Sequence, residues 1–445
     1  MSLTRSLGAA AATALVVSNM IGTGIFTTTG FLAGDLGSPR LVLLIWLVGG
    51  FIALAGALSY VELAVNMPRS GGEYLYLSRA WGPGWGFVSG WVSFFAGFSA
   101  PIAAAALAAA AYLGLSSEGP ELAIGPLTLH LATAQVTACS VVALFTLLNL
   151  LGARVVGRLQ TTLTALKLAV IAAFLTFGLT VGDGDLANLS AVAERTSTAS
   201  LVEQFAVSLV FVFFAYSGWN AAVYVAEEIE RPERTLPIAL AAGTALVTAL
   251  YIGLNALFIY GAPLEELKGV IAVGAAVAEN LFGSRTTVLF SVAMAVSLLA
   301  TINAMCLIGP RVYYAMAQDG AFIAAAARLH PRWRTPWVAV LMQGACTILL
   351  ILIPTFRDLV LYIGFTLYLF TALSVLALFK FRRQPDWKRY GWLDKTYPLT
   401  PLLYVGMSAW VLLFSFRAAP LPSGMALATV LAAALLYQLR TTRRV

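Results

Sequence analysis

Charged residues are scarce in this sequence. Of its 445 residues, 11% are Asp, Glu, Lys or Arg, against about 25% in ordinary soluble domains. Hydrophobic residues make up 60% of the chain, and the mean hydropathy is +0.87. This composition excludes a soluble globular protein. It predicts an all-α polytopic membrane protein, because a helix satisfies its backbone hydrogen bonds within itself.

Histidine and cysteine are also rare. The two histidines, His130 and His330, stand at the edges of apolar segments, and the three cysteines, Cys139, Cys306 and Cys346, fall inside them. We therefore expect no metal centre, no disulfide frame and no bound cofactor. Intramembrane enzymes need paired Asp, His or Ser–His groups at depth. The span centres offer none, so we expect no catalytic residues and no enzyme activity.

Apolar stretches long enough to cross a hydrocarbon core of about 30 Å occur twelve times. They cover residues 8–33, 41–66, 84–114, 131–153, 158–182, 202–229, 236–261, 285–317, 336–354, 358–380, 398–417 and 422–439. The first is interpreted as a retained span, because the N-terminus has one Arg and no small-residue cleavage site. The sequence thus predicts 12 transmembrane helices.

The basic residues indicate an orientation. Lys and Arg outnumber Asp and Glu by 27 to 20, and loop topology explains this excess better than a nucleic-acid partner. If the N-terminus is cytoplasmic, 19 basic residues fall on the inside and 6 on the outside. The positive-inside rule therefore predicts that both termini are cytoplasmic.

The spans also suggest an internal repeat. Gly22-Thr23-Gly24 interrupts the first span, and Ser217-Gly218 interrupts the sixth, 195 residues after Gly22. Two halves of five spans each have opposite orientations, and interrupted helices at matching positions are typical of secondary transporters. We predict a 5+5 inverted repeat: residues 1–182 for helices 1–5, residues 202–380 for helices 6–10, and residues 398–439 for two added helices. Alternatively, the small residues only allow close helix packing.

Broken helix ends offer binding groups without charged side chains. Amide groups at Thr23, Gly24 and Ile25 would be free to hold a carboxylate. Carbonyl groups that suit an ammonium group would be exposed at Met20, Ile21, Phe214, Ala215 and Ser217. A carboxylate site and an ammonium site a few ångströms apart fit an α-amino acid.

Lys167 is the second feature of interest. It lies nine residues into the fifth span from Arg158, about 13.5 Å deep at the rise of a helix. A lysine near the membrane centre is costly and by default functional. The alternative is a lysine that snorkels to the interface.

Several motifs resemble the amino acid–polyamine–organocation (APC) transporters. They are Gly22-Thr-Gly-Ile-Phe26, Pro68-Arg-Ser-Gly-Gly-Glu-Tyr74, Phe214-Ala-Tyr-Ser-Gly-Trp-Asn220, Glu227-Glu-Ile-Glu-Arg-Pro232, Leu236-Pro237, and the stretch from Asn303 through Arg311 to Asp319-Gly320. The resemblance covers residues 15–320 and is closest to the L-type, light-chain-like branch. It implies the ten-helix inverted-repeat core and sodium-independent amino acid movement, often by exchange.

The resemblance also implies roles for individual residues. Lys167 would stand where sodium sits in sodium-coupled relatives, bridging Gly22 to the eighth span near Ser297 or Thr301. Phe214 would be an aromatic lid over the substrate. Gly218 at the break in the sixth span, and Trp219 and Asn220 after it, would shape the side-chain end of the pocket. Tyr362, Phe365 and Tyr368 of the tenth span are further pocket candidates.

One departure bears on partners. Eukaryotic L-type members carry a cysteine between the third and fourth spans that bonds a glycoprotein heavy chain. Residues 115–130 of this sequence contain none. We therefore expect a bacterial-type transporter in the cell (inner) membrane, in contact with the bilayer and its amino acid substrates and without a heavy chain.

The favoured function is sodium-independent exchange of neutral L-amino acids by alternating access. A proton-coupled symporter of the same fold, with Lys167 taking part in proton movement, is the main alternative. An amino acid-sensing membrane receptor is more remote, because no soluble signalling domain is present. Glu62, Glu73 and the acidic run Glu227-Glu228-Glu230 are expected at cytoplasmic helix ends, where pairing with Arg69, Arg79, Arg231 or Arg234 would form an inner gate. The commoner alternative is that such groups are solvated helix ends, whose pairs contribute under about 1 kcal/mol.

Overall fold

A computed structural model describes residues 8–69, 72–124, 127–151, 153–333, 335–352 and 355–442. These residues are almost entirely helical, with one short hairpin. The all-α class predicted from composition is confirmed, and the helices are apolar enough for a multi-pass membrane protein. By length and composition, eight described helices could cross a membrane, or nine if the bent pair at the start counts as one span.

The described residues of the first half form eight α-helices. They are α1 (Ala9–Met20), α2 (Thr23–Leu36), α3 (Pro39–Asn66), α4 (Glu73–Trp81), α5 (Pro83–Val92), α6 (Ala100–Tyr112), α7 (Thr133–Leu148) and α8 (Ala153–Thr180). A π-helix at Ser93–Ser99 joins α5 to α6, so that residues 83–112 form one continuous helix. Strands β1 (Glu121–Ile124) and β2 (Leu127–His130) form an antiparallel hairpin before α7, with Leu122 opposite Leu129.

The described residues of the second half form ten α-helices. They are α9 (Leu201–Tyr216), α10 (Pro232–Gly261), α11 (Leu264–Leu267), α12 (Val273–Phe282), α13 (Ser284–Gln318), α14 (Trp337–Leu352), α15 (Phe356–Phe381), α16 (Gly391–Thr396), α17 (Leu399–Ala418) and α18 (Pro420–Thr442). Short 3₁₀ helices lie at Leu186–Leu189, Ala221–Glu228 and Ala324–Ala327. The hairpin, α4, α11 and α12 lie in connections for which the sequence predicted no helix or strand.

The core forms around the first and sixth spans. All 14 residues of α2 are buried, and α2 packs along α9. Helix α10 packs on α1 and α3, while α13 packs on α6 and α8. In contrast, α17 and α18 lie at the periphery and expose large apolar side chains such as Leu399 (71%) and Leu431 (63%). Such a surface is suited to contact with lipid tails.

Close approach of α2 to α9 depends on Gly24. A Cβ atom at this position would lie 2.3 Å from the Cα of Ala215, which is far inside van der Waals contact. The helices could therefore not keep their present separation with any larger residue at this position.

Gly24→Ala is expected to lower the apparent unfolding temperature, with a cost of about 1–3 kcal/mol for overpacking. Gly406→Ala in α17 is the matched control, because nothing lies within 4 Å of its added Cβ. Thermal unfolding of both variants in detergent tests this. Equal unfolding temperatures for the two variants would show that the α2–α9 contact is not tight.

Candidate functional site

The first span is interrupted between α1 and α2. The two helices are bent by 41°. The interruption falls at Ile21 (ψ 87°) and Gly22 (φ −125°, ψ −148°), whereas Thr23 and Gly24 already belong to the first turn of α2. No side chain caps α2. The amide groups of a first turn have no intrahelical acceptor, so without a cap these amides remain free and carry the partial positive charge of a helix N-terminus.

The sixth span is interrupted after α9. Ser217 is extended (φ −55°, ψ 143°), and Gly218 has φ +103°, a conformation that favours glycine. A Cβ at Gly218 would lie 2.8 Å from the carbonyl carbon of Asn19 in α1. The two interruptions therefore lie side by side, since Gly24 of the first span also contacts Ala215 of the sixth.

Lys167 reaches the first interruption from α8. Its side chain is 1% exposed, and its Nζ donates to the carbonyl oxygen of Ile21 at 2.7 Å and to Oγ1 of Thr301 at 3.0 Å. This bridges α8, the end of α1 and α13. Ser297, the other residue considered as a partner, has a buried Oγ with no hydrogen-bond partner among the described residues. Lys167 is therefore held inside the bundle and does not reach the interface.

Tyr251 of α10 links the two interruptions directly. Its hydroxyl oxygen lies 2.6 Å from the carbonyl oxygen of Met20 and 2.9 Å from that of Ala215. Its single proton can be donated to either carbonyl. Sequence analysis did not select this residue. The available signal was a tyrosine in the middle of a span, whose hydroxyl needs a partner when buried.

The carbonyl groups predicted to face an ammonium group are mostly engaged within the protein. Ile21 accepts from Lys167, while Met20 and Ala215 face Tyr251. Phe214 accepts from the amide of Ser217 at 3.1 Å and from its hydroxyl at 2.7 Å. Each carbonyl oxygen has two lone pairs, so a second donor can still bind at Met20, Ile21 and Ala215, whereas both lone pairs of Phe214 are used by Ser217.

A cavity with a volume of ≈ 180 Å³ adjoins the interruptions. Of the predicted site residues, it is lined by Ser217, Gly218, Trp219 and Asn220. The remaining lining residues are Leu15, Asn19, Glu73, Ser89, Val92, Ser93, Gly97, Phe98, Pro101, Phe213, Ala221, Tyr224, Met305, Ile308, Thr366, Leu367, Phe370 and Thr371. The wall is mainly apolar, and the π-helix of the third span contributes Ser93, Gly97 and Phe98.

Other predicted residues lie behind this wall. Thr23, Gly24 and Ile25 are buried and are not among the lining residues. Phe214 is 6% exposed and also lies outside the lining, whereas its neighbour Phe213 lines the cavity.

The residues of the tenth span that line the cavity differ from those predicted from the sequence. Tyr362, Phe365 and Tyr368 do not line the cavity, whereas Thr366, Leu367, Phe370 and Thr371 of the same helix do. Tyr368 instead stacks on Phe213, with ring centroids 3.8 Å apart. It therefore supports the wall from behind.

Glu73 ties the loop helix α4 to the sixth span. Its Oε1 accepts from the Tyr60 hydroxyl at 2.9 Å and from Asn220 Nδ2 at 2.7 Å. Its Oε2 accepts from the Tyr224 hydroxyl at 2.5 Å. The sequence-based expectation of an arginine partner for Glu73 is wrong, because neutral donors on α3 and the sixth span surround this carboxylate.

Glu62 has an arginine partner, but a different one from those expected. Its carboxylate oxygens accept from Arg382 Nε at 2.7 Å and Nη2 at 2.8 Å, and from Trp387 Nε1 at 2.7 Å. Arg382 is 320 residues away in sequence and also donates to Asp394. The expected pairing with Arg69, Arg79, Arg231 or Arg234 is thus wrong for Glu62. The side chains of Glu227 and Glu228 lie outside the described residues.

The cavity lies on one side of the interruptions. Leu15 and Asn19 of α1 line it, whereas no residue of the fully buried α2 does. At the far end of α2, Asp35 pairs with Arg357 Nη2 at 3.1 Å. The Arg357 guanidinium lies over the rings of Phe31 and Phe211, which stack with centroids 5.1 Å apart. The structure is therefore closed at the α2 end and has its cavity at the α1 end.

Two interrupted helices that meet beside a cavity on one side of a helical bundle define a membrane transporter for a small solute. Among the described residues, no group of three or more His, Cys, Asp or Glu side chains could hold a metal ion. A family model described as amino acid permease matches residues 7–435. The chain belongs to this family of transporters, which confirms the resemblance to the APC superfamily.

Individual relatives lie close to the L-type branch. The serine/threonine exchanger SteT of Bacillus subtilis (strain 168) is 30% identical over 426 residues, covering 92% of this chain and 91% of the relative. The large neutral amino acids transporter small subunit 2 of Homo sapiens is 29% identical over 443 residues, covering 98% and 80%. The Asc-type amino acid transporter 1 of Mus musculus is 28% identical over 433 residues, covering 97% and 80%.

Tyr251→Phe is expected to lower the apparent unfolding temperature. The two buried carbonyl groups lose the single hydroxyl donor that stands between them, at a cost of about 1–3 kcal/mol. Tyr260→Phe on the same helix is the matched control, since no hydrogen bond of its hydroxyl occurs among the described residues. Thermal unfolding in detergent compares them. If Tyr251→Phe is as stable as the control, the hydroxyl does not hold the interruptions together.

Glu73→Gln is expected to destabilise the protein by a similar amount, because three donors converge on the carboxylate and the amide has one acceptor oxygen. Glu118→Gln serves as the control, since Glu118 is exposed in the loop before the hairpin. The same thermal assay reports both. An unchanged unfolding temperature for Glu73→Gln would contradict a structural role for this cluster.

Proposed function

We propose that the protein exchanges neutral L-amino acids across a membrane, independently of sodium, by alternating access. The observation that carries this is the charge of the cavity. Among its described lining residues, Glu73 is the one charged group, and three protein donors already surround it. A charged substrate side chain would find no free partner there. The names of the relatives, which are amino acid exchangers or transporters, agree with this.

The backbone of the two interruptions would hold the amino acid itself. The first-turn amides at Thr23, Gly24 and Ile25 are the proposed carboxylate site, because no side chain caps this helix end. The ammonium group would bind the carbonyl oxygen of Ser217 and the second lone pairs of Met20, Ile21 and Ala215. It could bind the Phe214 carbonyl only if the Ser217 hydroxyl turned away from it. A zwitterion would then be matched without charged side chains.

The segment after the second interruption would contact the substrate side chain. Gly218, Trp219 and Asn220 all line the cavity. Phe214 lies in the last turn of α9 and is buried outside the cavity lining, so an aromatic lid at this position would have to move to reach the substrate. Thr23, Gly24 and Ile25 are buried here, so binding requires a small local opening.

Lys167 would take the place of a driving cation. Its ammonium group is buried and binds a carbonyl oxygen of the interrupted first span and a hydroxyl of α13. A fixed positive charge at this position would make a bound sodium ion unnecessary. Gly22 lies against the same Thr301 side chain, with 3.7 Å between its added Cβ and Cγ2.

The proposed architecture has twelve spans. Nine follow from helix length, and the apolar but shorter helices α7, α9 and α14 would supply the other three. Residues 1–182 and 202–380 would form the inverted repeats, and 398–439 the two added helices. The interruption of the first helix in each half supports this division.

We also propose that both termini are cytoplasmic and that the protein lies in the cell (inner) membrane. The cavity would then open to the cytoplasm, and the Asp35–Arg357 pair would close the outside. Cys139, Cys306 and Cys346 all lie within helices, and residues 115–130 contain no cysteine, so a disulfide-linked heavy chain is not proposed.

Proton-coupled symport is the second candidate. The observation that favours it is that Lys167 donates to two neutral groups, the Ile21 carbonyl and the Thr301 hydroxyl, so that these bonds do not hold its proton against a carboxylate. A lysine in a desolvated site can lose its proton.

Counterflow in liposomes tests the function and separates these two mechanisms. We expect labelled L-serine, L-threonine or L-leucine to enter only liposomes preloaded with an unlabelled neutral amino acid, with or without sodium. Uptake into empty liposomes that depends on a pH gradient would favour symport. Binding of the amino acid without any uptake would indicate a receptor and would contradict both exchange and symport.

Lys167→Ala is expected to abolish exchange or raise the KM by at least about tenfold, since a buried carbonyl loses its donor and the bridge to α13 is broken. Lys388→Ala is the control, because Lys388 is exposed. Uptake kinetics measured from both faces of the liposome check this. An unchanged KM on both faces would end the proposed role of Lys167.

A further inference from the structure

The connection between α15 and α17 is strongly basic. Residues 380–395 contain six cations, Lys380, Arg382, Arg383, Lys388, Arg389 and Lys395, against the two acids Asp386 and Asp394. Candidate spans end at Phe381 and begin again at Leu399. The basic segment therefore lies where two spans leave the membrane on the same side.

A cavity with a volume of ≈ 370 Å³ opens in this segment. It is lined by Phe379, Arg382, Arg383, Arg389, Asp394 and Tyr397. Arg382 is committed to Glu62 and Asp394, and its guanidinium lies 3.7 Å from the ring centre of Tyr397. The side chains of Arg383 and Arg389 are exposed and make no hydrogen bond with the described residues. Two guanidinium groups at this cavity thus remain available to a ligand.

We propose that this cavity binds the phosphate of an anionic phospholipid headgroup. A guanidinium fork matches phosphate oxygens in pairs, and clusters of basic residues directly beside a span attract anionic lipids. Phe379 and Tyr397 contact each other next to the ends of the two candidate spans, with ring centroids 5.6 Å apart. Aromatic side chains at span ends commonly meet the headgroup region.

The surface beside the cavity favours a lipid over a soluble phosphate. Leu399 is 71% exposed, Leu402 55% and Leu403 44%, all on the first turns of α17. Acyl chains attached to a headgroup in the cavity would lie along this apolar surface. A free phosphate would gain nothing from it.

A lipid headgroup bound in this cavity would also stabilise the packing of the helical core. Arg382 connects this cavity to Glu62 of α3, and both side chains are nearly buried, at 6% and 4% exposure. A bound headgroup next to Arg382 would restrain the end of α15 against α3. The stability of the protein would then depend on the lipid composition of the membrane.

Thermal unfolding and lipid titration of the detergent-purified full chain test this proposal. Phosphatidylglycerol is expected to raise the unfolding temperature of the wild-type protein more than phosphatidylcholine or inorganic phosphate. The double variant Arg383→Gln/Arg389→Gln is expected to bind phosphatidylglycerol at least about tenfold more weakly. Arg328→Gln/Arg332→Gln is the matched control, because it removes two exposed arginines elsewhere.

Native mass spectrometry of the same samples gives a second measurement that does not depend on stability. Retained phosphatidylglycerol on the wild type and the control, but not on the Arg383/Arg389 variant, supports the site. Equal stabilisation by inorganic phosphate would overturn the lipid proposal in favour of a soluble anion. Equal effects of the two lipids, or equal lipid loss in both double variants, would overturn it altogether.

Discussion

Two interrupted helices leave backbone carbonyl groups inside a protein that the membrane surrounds. Each unsatisfied polar group there costs several kcal/mol, and no lipid can supply a donor. In this structure the donors are Lys167, which binds Ile21, and Tyr251, which stands between Met20 and Ala215. The interruptions are therefore stable because α8 and α10 bring donors to them. We propose that the same interruptions make backbone groups available for an amino acid.

The remaining polar contacts fall into two groups, one at the α2 end of the first span and one at its α1 end. At the α2 end, the Asp35–Arg357 pair and the Phe31–Phe211 stack hold the helices closed. At the α1 end, Glu73 holds the loop helix against the sixth span beside an open cavity. Alternating access requires these two sets of contacts to form in turn. The contacts seen here are those of the state in which the cavity is reached from the α1 end.

The helix interruptions could be predicted from the sequence because glycines inside apolar spans, Gly22 and Gly24 in the first and Gly218 in the sixth, are a local signal. The partners could not, since they depend on packing between distant helices. Tyr251 is 231 residues from Met20. Arg382 is 320 residues from Glu62, and the arginines nearer in sequence were wrongly preferred. Two further features have no periodic pattern in the sequence from which they could be predicted. They are the π-helix at Ser93–Ser99 and the position of Phe213, rather than Phe214, in the cavity wall.

The central claim is that the first turn of α2 binds the carboxylate of an amino acid. An experimental structure with a bound neutral L-amino acid, such as L-serine or L-leucine, tests it most directly. The account predicts a carboxylate oxygen about 2.7–3.2 Å from the amide nitrogen of Thr23 or Gly24, with Lys167 still bound to Ile21. A carboxylate bound elsewhere in the cavity, with those amides unoccupied, would contradict it.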